Sequence, residues 1–339
     1  MKKKLLLIGG IAAMLFSSCD QDITNVINLP GGESSNTPAT QKEITFTASM
    51  DGVNTRAVET TIDNLDSFFV TAVNKNGAYG DTIWMQGVKY IKPNQENVWS
   101  PENGNYYWPM NGSLGVYAYA NIGAGKDTIN VEKQEITFYQ QGETAAQHQD
   151  FVYAKRNVFL GKSPNLAFKH ALSEVSIKAK NSNTEYTVEV SGVKISNMAS
   201  WGLFDLDKES WTVNTAYMSY STTWSTPVKL TADASYMDKA NEPFMFVPQT
   251  LDKNLSARKA QSQIYAKIKV IKDNVTIYDG WSSMPLSGTL EMGKHYVYTL
   301  DFSQGLGSNI YIGKIDFGTS SVSVTDWVSK DEAVNYGNR

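Results

Sequence analysis

Short runs of alternating apolar and polar residues recur along the chain. Ile44, Phe46 and Ala48 alternate with Thr45 and Thr47, and Val116, Ala118 and Ala120 with Tyr117 and Tyr119. Val175, Ile177 and Ala179 alternate with Ser176, Lys178 and Lys180, and Ala266, Ile268 and Val270 with Lys267 and Lys269. Tyr296, Tyr298, Leu300 and Phe302 make another such face, and Val322 with Val324 another. Successive side chains on a strand point to opposite faces, so each run predicts a half-buried β-strand. No long stretch carries the 3.6-residue period of an amphipathic helix. Asn76-Gly77, Asn111-Gly112, Asp279-Gly280 and Gly305–Gly307 read as turns, and a short helix or turn is expected around Glu143–Gln147. Many short strands with frequent turns predict an all-β protein built of antiparallel β-sandwiches. A body of roughly 290 residues has room for two in tandem. The turn-rich Gly161-Lys162-Ser163-Pro164 is the expected break, giving domains over 43–162 and 163–339.

The amino terminus follows different rules. Lys2, Lys3 and Lys4 precede an apolar run from Leu5 to Phe16, which is too short to span a bilayer. Ser17, Ser18 and Cys19 follow, and this arrangement resembles a bacterial lipoprotein signal over residues 1–18. The resemblance implies that Cys19 becomes the first residue and carries acyl chains. Two or more chains anchor stably where one binds only marginally. Asp20 and Asp22 next to it fit either a surface-export signal or a charged linker. From Gln21 to Gln41 the chain is rich in Gly, Ser, Thr, Asn and Pro, so 19–42 reads as a flexible tether.

Composition narrows the chemistry. Of 339 residues, 41% are hydrophobic and 19% charged, which suits a packed core and not a disordered chain. The formal net charge of −4 disfavours nucleic acid as a partner. Cys19 is the one cysteine, which excludes a disulfide framework. With three histidines, His148, His170 and His295, a multi-histidine metal centre would need all of them to converge, so no metal or cofactor is expected. There is no G-x-S-x-G, no P-loop and no H-E-x-x-H, and Gly123–Lys126 lacks P-loop spacing. His170, in FKHALSEV, reads as a hydrogen-bonded structural histidine. Asp205, Asp207 and Glu209 lack the glycine and terminal glutamate of a calcium loop and read as a solvated turn. The eight tryptophans read mostly as core or sheet-edge packing.

Several segments, in order, resemble the fimbrillin family, the Mfa-like type V pilins of Bacteroidetes. They are Glu43–Ala57 (EITFTASMDGVNTRA), Tyr106–Ala120 (YYWPMNGSLGVYAYA), Asp150–Lys155 (DFVYAK) and Leu166–Ala179 (LAFKHALSEVSIKA). Ser191–Leu206 (SGVKISNMASWGLFDL), Pro243–Leu251 (PFMFVPQTL), Met292–Leu300 (MGKHYVYTL) and Val322–Val328 (VSVTDWV) continue the series. The resemblance implies two transthyretin-like sandwich domains, no enzymatic activity, and assembly into a surface fibre or its tip. It implies cleavage by an Arg-specific protease between Arg56 and Ala57. The cut would free an edge strand formed by Ile44, Phe46, Ala48 and Met50. A strand from another fimbrial subunit would replace it, giving a head-to-tail polymer. The expected donor is the strand carrying Val322, Val324 and Val328, although the tail after Val328 is polar for that role. The expected location is the outer membrane through the acyl anchor, then the surface fimbrium. A host or bacterial receptor is a further expected partner. A surface glycan-binding lipoprotein, and more remotely an anchored hydrolase, remain open on the same residues.

Overall fold

The structure is a computed structural model. It describes residues 42–50, 60–77, 80–94, 96–109, 112–122, 127–140, 142–159, 163–214, 216–237, 242–251, 261–303 and 319–326. Its regular structure is β throughout, apart from one 3₁₀ turn at Ala145–Gln147, where a short helix or turn was expected.

The amino-terminal half forms a seven-stranded sheet. Its strands are β1 (Thr47–Met50), β2 (Ser67–Gly77), β3 (Gly80–Ile91), β4 (Ser100–Pro101), β5 (Ser113–Ala120), β8 (Val152–Phe159) and β9 (Asn165–His170). Their order is β1-β9-β8-β5-β2-β3-β4. Neighbours run antiparallel except β1 and β9, which are parallel, with Thr47 opposite Asn165 and Met50 opposite Phe168. β9, beyond Pro164, pairs with β8 and β1 in this sheet. Phe46, Phe68, Tyr90, Trp99, Val116 and Phe168 fill the core that the sheet encloses.

The remaining strands make three more sheets and a ribbon. β6 (Thr128–Asn130), β7 (Glu135–Tyr139), β12 (Trp201–Asp205) and β13 (Ser210–Val213) pair in the order β13-β12-β7-β6. β11 (Thr187–Ala199), β14 (Tyr217–Lys229), β18 (Gln263–Lys272) and β19 (Val275–Pro285) pair as β14-β11-β18-β19. In the five-stranded sheet, β10 (Ser173–Lys180) joins β15 (Ser235–Tyr236), β16 (Phe244–Phe246) and, in parallel, β21 (Lys294–Asp301). β22 (Thr319–Asp326) pairs antiparallel with β21. A ribbon of β17 (Gln249–Leu251) and β20 (Gly288–Leu290) completes the set. Ile177, Val188, Val190, Ile264, Ile268, Tyr298 and Leu300 form the carboxy-terminal core, which lies between the last two sheets as in a sandwich. A third core, with Tyr117, Tyr119, Phe138, Tyr153, Phe204 and Met245, joins the back of β5 and β8 to β7, β12 and β16.

Two expectations from the pattern change here. Tyr117 and Tyr119 were placed on a half-exposed face of β5, yet both are buried, because the β7–β12–β13 layer covers that face. Asp279-Gly280 is no turn: it lies inside β19. The reversal between β18 and β19 is made by Asp273 and Asn274, which both have positive φ, 49° and 62°. Such a pair matches the right-handed twist of a hairpin, and Asn and Asp tolerate it. Gly280 serves packing: a Cβ there would sit 3.0 Å from the Tyr278 hydroxyl, which donates to the Trp281 carbonyl.

Candidate strand-exchange site

The segment 42–50 bridges β9 and the stretch beside β4 at the opposite end of the seven-stranded sheet. On one flank β1 lies parallel to β9, and the Thr47 N–H donates to the Pro164 carbonyl. On the other flank Phe46 and Trp99 exchange backbone hydrogen bonds of 3.1 and 2.8 Å. Ile44 N–H donates to the Tyr106 carbonyl, and Trp108 N–H to the Lys42 carbonyl. Trp99 adjoins β4, the far edge of the sheet. The segment therefore closes the sheet like a zip. The edge strand implied by the family resemblance is thus bonded on both flanks, to β9 through 47–50 and to the 99–108 stretch through 42–46.

The alternation decides which side chains go in. Ile44 and Phe46 are fully buried and Ala48 is 1% exposed. Met50 is half-buried and packs against the same core. The Phe46 ring meets Tyr90 with centroids 5.0 Å apart. Burial pushes the Tyr90 hydroxyl far above its usual pKa, so it stays protonated and donates to the Ile44 carbonyl. The polar positions face outward and are tied to the neighbouring turn. Thr45 Oγ1 is 2.5 Å from Ser163 Oγ, Thr47 Oγ1 donates to Asn165 Oδ1, and Asn165 Nδ2 donates to Ser49 Oγ.

Asn97 closes the seam where no strand lies. Its Nδ2 donates to the Ala48 carbonyl at 2.7 Å, and its Oδ1 accepts from the Ala48 N–H at 3.1 Å. A carboxamide carries the donor and acceptor of a peptide unit, so this side chain takes the place of a neighbouring strand. Trp99 Nε1 donates to the same oxygen. Asn97, Tyr90 and Thr47 are parts of this site that the sequence pattern did not single out. The one signal in the sequence is the polar run P-N-Q-E-N-V-W at 93–99, ahead of and including Trp99.

The other predicted residues lie elsewhere. Cys19, Arg56, Ala57 and Val328 fall outside the described residues. Val322 and Val324 lie in β22, opposite Tyr298 and Tyr296 of β21. His170 Nδ1 is 3.0 Å from both oxygens of Asp150, deep in the fold, as a structural histidine should be. Asp207 and Glu209 are held by Lys155 and Lys169 at 3.0 and 2.8 Å, with Tyr117 and Tyr153 donating to them. Lys155 and Tyr117 hold the Asp207 carboxyl below its usual pKa. Of the seven described tryptophans, Trp99 and Trp108 are buried, Trp201, Trp211, Trp224 and Trp281 are half-buried, and Trp84 is 41% exposed; Trp327 lies outside the described residues.

Across residues 55–327 the sequence matches the fimbrillin-like family. The chain belongs to that family. Among solved structures, a candidate cell adhesion protein from Bacteroides ovatus is 16% identical with a TM-score of 0.52, over 85% of this chain and 98% of that one. A second such protein, from Bacteroides uniformis, is 13% identical with a TM-score of 0.48, over 86% and 100%. The fimbrial anchor protein Mfa2 from Porphyromonas gingivalis is 12% identical with a TM-score of 0.35, over 85% and 99%. At such identities the Bacteroides ovatus likeness is one of fold. No curated protein matches the chain in sequence.

Proposed function

We propose that this chain is a non-enzymatic subunit of a cell-surface fimbrium, in the shaft or as its tip adhesin. It is exported as an outer-membrane lipoprotein acylated on Cys19, and an Arg-specific protease cuts it between Arg56 and Ala57. The cut releases the segment carrying Ile44, Phe46, Ala48 and Met50, and a strand from another subunit takes its place. The observation that carries the reading is the zip itself. One short segment, just ahead of Arg56, is all that separates a closed sheet from one with two bare edges. Ile44 and Phe46 alone contribute about 1.5–3 kcal/mol each by burial. With the hydrogen bonds on both flanks, the segment accounts for much of a domain stability of about 5–15 kcal/mol. Bare edges and an open core recruit a replacement strand.

The test is to treat the purified precursor with an Arg-specific protease and identify the new terminus by mass. A single cut before Ala57, followed by capture of a synthetic 42–50 peptide or by polymerisation, supports the proposal. An uncut chain, or a cut chain that keeps the upstream piece and stays monomeric, overturns it. Exposed Trp84 and Tyr107 around a hollow of about 370 Å³, with Asn105 at its rim, favour a second reading as a surface glycan binder. Glycan binding by the uncut chain that Trp84→Ala abolishes would support that alternative.

A further inference from the structure

The residues on either side of 51–59 are held by different means. Upstream, Met50 is opposite Phe168 of β9. Downstream, Thr60 is 4% exposed and sits in a buried polar cluster that also includes His170, two residues further along β9. The Thr60 N–H donates to Asp150 Oδ2 at 2.7 Å, and the Thr60 hydroxyl donates to the Asp150 carbonyl at 3.3 Å. Asn121 Nδ2 donates to Thr60 Oγ1 at 2.5 Å and to the Asp150 carbonyl at 3.2 Å. His170 Nδ1 donates to the Asp150 carboxylate, whose side chain is 1% exposed. Asn121 has φ of 57°, an uncommon conformation that aims its short carboxamide into the cluster.

The cluster looks out of place in an apolar fold. A buried carboxylate is tolerated only when its lone pairs are filled by donors, and here a backbone N–H and an imidazole fill them. Beyond Thr60 the chain is tied locally: Thr61 Oγ1 accepts from the N–H groups of Asp63 and Asn64, and Leu65 enters the core. Residues 42–50 bond to a different set of partners: Tyr90, Asn97, Trp99, Tyr106, Trp108, Ser163 and Pro164, together with β9 at 165–168.

We propose that Thr60, Asp150, His170 and Asn121 form a clamp that retains the chain downstream of 51–59, so that a cut there frees the upstream strand alone. This rests on the strand-exchange reading above. Without the clamp, the new terminus would fray back through Leu65 and β2, and the core would be lost along with the strand. With it, the fold keeps everything from Thr60 onward and opens at one seam. The four residues are positioning residues for processing and make no contact with a protease.

The experiment uses the full chain with residues 53–58 replaced by the recognition sequence of an unrelated site-specific protease, so its outcome does not depend on whether Arg56 is cut naturally. After cleavage, hydrogen exchange is followed at Thr60–Leu65 and in β5, and the new terminus is exposed to an aminopeptidase and weighed. The unmodified cluster is expected to protect Thr60 and to stop trimming ahead of it. Asp150→Asn, and separately Thr60→Val, should speed exchange at Thr60–Leu65 at least about tenfold while β5 stays protected, and let trimming pass residue 60. Asp150→Glu should restore part of the protection, which a change of general stability would not do. Equal exchange and an equal trimming end point in the variants and the parent would overturn the clamp. So would loss of protection in β5 and Thr60–Leu65 together.

Discussion

Phe46 shows how much a single side chain settles. It is fully buried, its ring touches Tyr90, and its backbone binds Trp99 in both directions. Phe46→Ala in the uncut chain is expected to lower stability by about 3–5 kcal/mol, the range for emptying an aromatic site, read as the midpoint shift in urea. Asn97→Ala removes no core volume but strands the N–H and C=O of Ala48. A loss of about 1–3 kcal/mol is expected, and it should shrink in a chain already cut and stripped of 42–50, because the Ala48 groups are then gone and only the bond from Trp99 Nε1 remains for Asn97 to accept. That comparison separates a seam role from a general one. At this scale the sequence was informative for Ile44, Phe46 and Ala48, since alternation alone sends them inward. It was silent on Asn97 and Thr60, whose importance arises from partners far along the chain, 49 residues away for Asn97 and 90 for Thr60.

Among the elements, the β12–β13 hairpin shows which contacts matter. Its turn residues are tied down by Lys155–Asp207 and Lys169–Glu209, yet these pairs are largely solvated, with Asp207 59% and Lys169 50% exposed. Exposed ion pairs typically contribute under about 1 kcal/mol, so Asp207→Asn with Glu209→Gln should change stability little, and less still at high salt. The hairpin is held instead by aromatic burial: Phe204 packs on Tyr153 at 4.7 Å and on Phe151 at 5.3 Å. Phe204→Ala should therefore weaken the fold by several times as much as the charge pair does, about 3 kcal/mol or more in the same urea titration. The strands themselves were legible from period-two alternation. Which strands would be buried on both faces was not. Tyr117 and Tyr119 read as outward-facing because the layer that covers them, β7 with β12 and β13, comes from two distant stretches of chain. Asp279-Gly280 misled for the opposite reason: a sequence pair typical of turns was used to make room for the Tyr278 ring.

For the molecule as a whole, pH gives a test of the carboxy-terminal core. His148 is 4% exposed, accepts the Met245 N–H on Nδ1, and is ringed by Tyr220, Phe244 and Phe246. Burial lowers its pKa from 6.5 to about 3. The unfolded chain takes up a proton below pH 6.5 that the folded chain refuses, so stability is full above that value. It falls as pH drops from 6.5 towards 3, by about 1.4 kcal/mol per pH unit from this group. Equilibrium unfolding at pH 7 and pH 5 should differ accordingly, and His148→Gln should flatten the difference. The overall class was visible from the outset: frequent turns and short alternating runs point to an all-β chain, and the ordered segments to the fimbrillin family. The two parallel pairings, β1 with β9 and β10 with β21, were not, because strand direction is set by long connections that leave no local pattern.

The parallel seating of β1 has a mechanical side. Tension on the chain upstream of Lys42 runs lengthwise along 43–50, in the plane of the bonds to β9 on one flank and to Trp99 and Tyr106 on the other. Those bonds are loaded together in shear rather than peeled one after another. An uncut molecule tugged by its leading end resists at this seam as a rivet holds two plates.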